Sequence, residues 1–129
     1  MIYTYDYDSG YPGPAFPAVE LTLCNVVDAA SSTKCKAWVD SGADATMIPV
    51  SYLQEIGARR VDQKRIYGIT GVSQAVDIYE VTLQLGSHRL SRIYAVADKA
   101  NANIILGRDV LNHMMVTLNG LAQVVEVSD

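Results

Sequence analysis

The stretch Ala37-Trp38-Val39-Asp40-Ser41-Gly42-Ala43-Asp44-Ala45-Thr46 decides how this chain is read. Apolar residues through Val39 end a strand that delivers a carboxylate, Asp40, into a turn of small residues, Ser41, Gly42 and Ala43. Such a turn lets the backbone bend sharply and lets another chain come close. A carboxylate at the end of a buried strand costs free energy unless it is paired or used chemically. Further along, Ile104-Ile105-Leu106-Gly107-Arg108-Asp109 brings an apolar run through a glycine into a helix start. A glycine there implies that backbone passes very close to something else.

Outward from these segments the pattern is one of short strands. Val19-Glu20-Leu21-Thr22-Leu23 alternates with period two, and Cys35 to Val39 does so more loosely. Pro49 opens a short helix to Ile56, since proline suits a first turn, and Gly57 can close it. Strands over about 60–67 and 76–85 flank Gly68-Ile69-Thr70-Gly71-Val72-Ser73, and another runs over about 89–96. Asn101 to Asn103 forms a polar turn into the strand Ile104-Ile105-Leu106, and Gly107 starts a helix of about two turns to His113. Met115 to Val127 reads as a hairpin with a two-residue turn at Asn119-Gly120. Many short strands, one or two short helices and no βαβ rhythm predict an all-β domain, closed or sandwich-like.

Residues 1–17 differ from the domain expected over 18–129. Tyr3, Tyr5, Tyr7 and Tyr11 alternate with acids and glycine, followed by Pro12, Pro14 and Pro17. That proline density excludes a helix and a central strand. An extended arm with a tyrosine face for a partner and a disordered tail both fit.

The bulk composition narrows the function. The chain has 129 residues, 50% hydrophobic and 19% charged, which suits one globular domain. A net charge of −4 argues against nucleic acid as the main partner. The basic cluster Arg59-Arg60 with Lys64-Arg65 reads as a solvated strand edge. No apolar run approaches the ~20 residues needed to cross a bilayer, and residues 1–10 do not resemble a secretory signal. A cytoplasmic location is expected, with Cys24 and Cys35 as free thiols although they could face each other across a hairpin turning through 28–33. His88 and His113 with two cysteines make no metal-ligand set at recognisable spacing, and no cofactor is implied.

Taken in register, the Asp40-Ser41-Gly42-Ala43 loop, the central glycine hairpin and the apolar-Gly107-Arg108-Asp109 helix start resemble the retropepsins. These are the single-domain aspartic proteases of retroviruses and their cellular and bacterial relatives. The resemblance spans residues about 18 to 127 and implies a closed β barrel of the acid protease fold. It makes Asp40 the catalytic carboxylate, with Ser41 gripping across a two-fold axis and Gly42 offering its carbonyl to substrate. Many members carry threonine where Ser41 stands. Asp44 and Arg108 match an ion pair that braces the loop, and Gly107 belongs to the same structural set. Ile66 to Val72 (Ile66, Tyr67, Gly68, Ile69, Thr70, Gly71, Val72) matches the flap that closes over bound peptide. Ala43, Asp44, Ala45, Met47, Ile69, Thr70, Asn103 and Ile105 match substrate-binding positions. Trp38 shares a strand face with Asp40, so it is either a pocket wall or core.

The chemistry implied is peptide hydrolysis by two carboxylates sharing one proton. One chain of this length holds one such lobe, so Asp40 of a second copy must complete the dyad in a homodimer. The mostly apolar lining favours hydrophobic side chains around the cut. A second Asp-Ser-Gly, Asp8-Ser9-Gly10, lacks the preceding apolar strand and the matching helix and reads as a turn. The C-terminal hairpin looks more like that of the cellular relatives, with the N-terminal arm outside its sheet. The competing expectation is a catalytically silent retropepsin-like module that dimerises or binds peptides.

Overall fold

A computed structural model describes residues 1–128 of the chain. Its elements are β1 (Ile2–Asp6), β2 (Ala18–Cys24), β3 (Ser32–Val39), β4 (Met47–Pro49), α1 (Val50–Glu55), β5 (Arg59–Tyr67), β6 (Ser73–Leu85), β7 (His88–Asp98), β8 (Ile104–Leu106), α2 (Arg108–Leu111), β9 (Met115–Asn119) and β10 (Val124–Ser128).

Alternation in the sequence becomes inside and outside of a barrel. On β2, Val19, Leu21 and Leu23 point into the core, and on β3 so do Cys35, Ala37 and Val39. The two strands pair antiparallel with Leu21 opposite Cys35. From there the strands run β2-β3-β8-β4-β7-β6. The ring closes where β6 returns to β2 through Leu23 opposite Leu83. Leu23, Ile48, Leu53, Leu83, Ile104 and Leu106 fill the interior, each 0–1% exposed, and such burial contributes about 1.5–3 kcal/mol per side chain. The fold is thus a mostly-β closed barrel, as the sequence predicted.

Helix α1 plugs the barrel with Leu53. Its end is a Schellman turn: Gly57 at φ +63 lets its own N–H reach the Gln54 carbonyl and the Ala58 N–H reach that of Leu53. Among the described residues strand β5 pairs only with β6, and all nine of its residues are exposed. The β5–β6 hairpin therefore leaves the barrel as a projecting ribbon.

Several expectations need correction. The N-terminal residues are neither disordered nor outside the C-terminal sheet: β1 pairs along its whole length with β10, giving a sheet β1-β10-β9. Proline density begins only at Pro12, which leaves Ile2–Asp6 free to make a ladder. The C-terminal hairpin does not turn on two residues. Asn119 pairs with Val124, the Asn119 side chain accepts the Ala122 N–H at 3.0 Å, and the positive φ falls on Gln123. Helix α2 is a single turn, because the chain folds back through Asn112 and His113 to start β9. Cys24 and Cys35 are free and buried, and they do not face each other, since Cys24 sits opposite Ser32. Burial pushes the Cys35 thiol up to about 12.

Candidate active site

The small-residue turn after β3 is held from below by the segment entering α2. The Asp40 N–H donates to the Leu106 carbonyl at 3.0 Å, continuing the parallel β3–β8 pairing one residue beyond the strand. The turn then closes on itself: Ala43 N–H donates to the Asp40 carbonyl, and Gly42 N–H donates to Asp40 Oδ1 at 2.9 Å. A carboxylate oxygen receiving a backbone N–H is fixed in direction. Asp40 is half-buried, while Ser41 and Gly42 are exposed at the surface.

Gly107 explains how closely the two segments approach. A Cβ there would sit 2.7 Å from the Ala45 carbonyl carbon, 2.8 Å from its oxygen and 3.0 Å from the Ala43 oxygen, all backbone atoms. The next residue adds the brace expected from the sequence. Arg108 N–H donates to the Ala43 carbonyl at 2.9 Å, and its guanidinium donates to the Ser41 carbonyl at 2.6 Å and pairs with the Asp44 carboxylate. Asp44 is 90% exposed as a side chain, so the pair itself contributes little through charge alone. Its value lies in tying Arg108 to two points of one loop.

A second clamp escaped the sequence reading. Thr46, fully buried, donates from Oγ1 to Asp109 Oδ1 at 2.7 Å and from its N–H to Asp109 Oδ2 at 3.1 Å. The same hydroxyl accepts the Gly107 N–H at 3.1 Å. Thr46 and Asp109 stand inside the two segments quoted first, but nothing in their local pattern signals that they face each other. Only the strand order that brings β8 between β3 and β4 does so.

Three of the expected lining residues, Trp38, Ile105 and Met47, fall into one row that Val96 and Ile78 extend. Trp38 is level with Ile105, Ile105 with Met47, Met47 with Val96, and Val96 with Ile78, across β3, β8, β4, β7 and β6. Level residues on neighbouring strands share a face, so this apolar row lies on the outer side of the barrel wall. Ala45 and Met47 pack there on Val76, Ile78 and Val96. Trp38 is half-buried and contacts residues of the N-terminal segment, with its ring 5.2 Å from that of Tyr11 and 5.0 Å from that of Phe16. Ala43 and Asn103 are partly buried.

The expected flap residues occupy the outer end of the β5–β6 hairpin. Gly68 N–H donates to the Val72 carbonyl and Gly71 N–H to that of Gly68, with Gly71 at φ +80. Tyr67, Ile69 and Val72 are strongly exposed, and Thr70 is exposed between them. Ile66 joins Met47, Val76 and Val96 in lining a cavity of about 250 Å³ under the hairpin, closed on its other side by the 98–101 loop. Asp40 is not part of that lining.

The 98–101 loop depends on buried Asp98. Burial alone would push its carboxyl up, but the N–H groups of Ala100 and Asn101 and the Asn101 amide hold it below the ordinary aspartate value. A depressed folded value adds stability that is complete above the unfolded value of about 3.9 and is lost as pH falls through the folded one. Protection of the Ala100 and Asn101 amides, measured against their intrinsic exchange rates at each pH, should therefore be full at neutral pH and fall in acid below about pH 4. In Asp98→Asn the acid step should vanish.

Comparison with known proteins supplies three findings. Residues 30–113 match the family profile described as "gag-polyprotein putative aspartyl protease". No curated protein sequence matches the chain. Among solved structures, a retropepsin-like aspartic protease from Rickettsia conorii superposes with a TM-score of 0.62 at 12% identity, covering 98% of this chain and 91% of that one. The EIAV protease complexed with the inhibitor HBY-793 superposes at 0.53 with 20% identity, covering 80% of this chain and 91% of that one.

Proposed function

The chain belongs to the retropepsin-like aspartic protease family, and from that premise we propose that it is an endopeptidase whose active site forms between two identical chains. The observation that carries this reading is the state of the three acids around the turn. Asp44 is committed to Arg108 and Asp109 to Thr46. Among the described residues, the Asp40 carboxylate alone is held only by its own turn, half-buried at the end of β3. A second carboxylate has to arrive from another copy, and a two-fold axis beside Asp40 and Ser41 provides it.

In that dimer the two Asp40 carboxyls share one proton, because like charges a few ångströms apart do not both ionise. The ionised one takes a proton from water as the water oxygen bonds to the scissile carbonyl carbon. The protonated one gives its proton to the carbonyl oxygen. Collapse of the tetrahedral intermediate breaks the C–N bond, and a proton from the dyad passes to the leaving amine. Gly42 offers its carbonyl to the peptide backbone, and an extended substrate lies as a strand between the turn and the β5–β6 hairpin. That hairpin acts as a flap, its exposed Ile69 and Val72 closing over the peptide and excluding water. The row from Trp38 to Met47, with Ile105 and Ala45, favours hydrophobic side chains around the cut.

The test is digestion of a peptide library over about pH 3 to 8, at several protein concentrations. Cleavage should lean to the acid side, and the rate per chain should rise with concentration until dimers saturate. A sedimenting dimer that leaves every peptide intact would point instead to a silent peptide-binding module.

A further inference from the structure

We propose that Asp8, Tyr11 and Phe16 set the enzyme's substrate specificity by holding Trp38 in place, which makes the 8–16 loop part of the active site. The inference rests on the peptidase reading above and adds to it residues that lie outside the segment matching the family profile.

Trp38 begins the outer apolar row two residues before Asp40. An indole on the outer face of a sheet has several rotamers open to it, and a pocket wall that swings selects nothing. Here the ring is gripped from three sides. Trp38 Nε1–H donates to Asp8 Oδ2 at 3.0 Å. The Tyr11 ring meets it edge-on, the Phe16 ring lies tilted against it, and the Tyr11 and Phe16 rings touch at 4.9 Å between centroids. Aromatic contacts of this geometry are directional, beyond the area they bury.

The grip is itself anchored. Asp8 and Phe16 exchange backbone hydrogen bonds at 2.7 and 3.0 Å, which closes the loop at its base. Asp8 Oδ1 accepts the Gly10 N–H and lies 3.5 Å from Lys36 Nζ. The Val39 N–H, one residue before Asp40, donates to the Pro17 carbonyl at 2.9 Å. At the other end Tyr7 N–H donates to Gln123 in the C-terminal hairpin turn. The second Asp-Ser-Gly of the chain is thus a turn, and its carboxylate positions a wall residue of the candidate site. Asp8, Tyr11 and Phe16 are positioning residues: they act through Trp38, whose ring face meets an apolar side chain of the peptide.

Trp38 is the chain's only tryptophan, so its fluorescence reports on this clamp and on nothing else. Asp8→Ala should shift the emission to longer wavelength, and Asp8→Asn, which keeps one acceptor for the indole N–H while giving up the one for the Gly10 N–H, should restore most of it. Cleavage sites in a peptide library, read by mass spectrometry, should move in step. For Asp8→Ala and Tyr11→Leu the preference between large and small apolar side chains flanking the cut should change by about tenfold in kcat/KM, while Asp8→Asn keeps the native profile. Melting curves of all three variants separate loss of the clamp from loss of the fold. Unchanged Trp38 emission in Asp8→Ala overturns the clamp. Changed emission with an unchanged cleavage profile overturns the specificity role alone. A native chain that cuts no peptide overturns the peptidase reading and this inference with it.

Discussion

Asp40→Asn is expected to reduce peptide cleavage by at least about 10³-fold while leaving the melting temperature within a few degrees of the native protein. The amide keeps an oxygen to accept the Gly42 N–H, so the turn retains its closing bond. What disappears is the shared proton: neither amide can serve as base to water or as acid to the carbonyl oxygen. A mixing experiment decides whether the dyad spans two chains. With equal amounts of native and variant chain and free exchange, about a quarter of the dimers hold two aspartates, following the statistics of a two-fold assembly. Activity per native chain should then fall by about half, and further with excess variant. Activity that tracks the amount of native chain, whatever variant is added, would show that each chain works alone and would sink the shared site.

The parts of this site that the sequence made legible are those in which one short segment carries its own signal. Asp40 at the end of an apolar strand and Gly107 at the mouth of a helix are local patterns with a physical meaning. The all-β class followed from alternation on β2 and the apolar runs at β3 and β8, and the closed barrel from the resemblance to retropepsins. Pairings between distant segments were not legible. Thr46 and Asp109 meet because β8 lies between β3 and β4, a matter of strand order rather than of residues near either one. The N-terminal segment was misplaced for a related reason. Its prolines argue against a strand only where they stand, and the ladder of Ile2–Asp6 with β10 joins the two ends of the chain. The turn at 119–124 failed differently: the Asn119 side chain captured the Ala122 N–H, a competition between side chain and backbone that the dipeptide signal leaves out.

These long-range pairings also show why the turn can hold a charge at a fixed point. Asp40 receives its direction from Gly42, its height from Leu106 and its lateral support from Arg108 on Ser41. Three of those four partners are backbone groups, which do not change rotamer. Preorganisation of this kind lets a small loop place a reactive group without paying for reordering at each turnover. It also concentrates risk in one residue, because Leu106 and Arg108 flank Gly107.

Gly107→Ala should accordingly be among the most damaging glycine-to-alanine substitutions in the chain. Adding a side chain to a packed interior commonly costs about 1–3 kcal/mol, and the neighbours usually yield by rotating. At Gly107 the obstructing atoms are the Ala45 carbonyl group and the Ala43 oxygen, which yield only if the Asp40 turn itself moves. That movement would strain two bonds at once, the buried Gly107 N–H to Thr46 and the Arg108 N–H to Ala43, and a buried polar group left unpaired costs a further ~1–3 kcal/mol. A loss of about 3 kcal/mol or more follows, roughly 10 °C in melting temperature for a domain of this size. Two other glycines calibrate the result. At Gly120 an added Cβ meets nothing within 4 Å, so Gly120→Ala should stay within about 0.5 kcal/mol of native. At Gly42 the nearest atom is Asp40 Oδ1 at 3.1 Å, a side-chain oxygen that can turn aside. Gly42→Ala should therefore melt close to native yet lose most of its activity, since the carboxylate turns away from the place where its twin must meet it. If thermal melts put Gly107→Ala beside Gly120→Ala, the close approach of the two segments does not exist as described, and the support proposed for Asp40 goes with it.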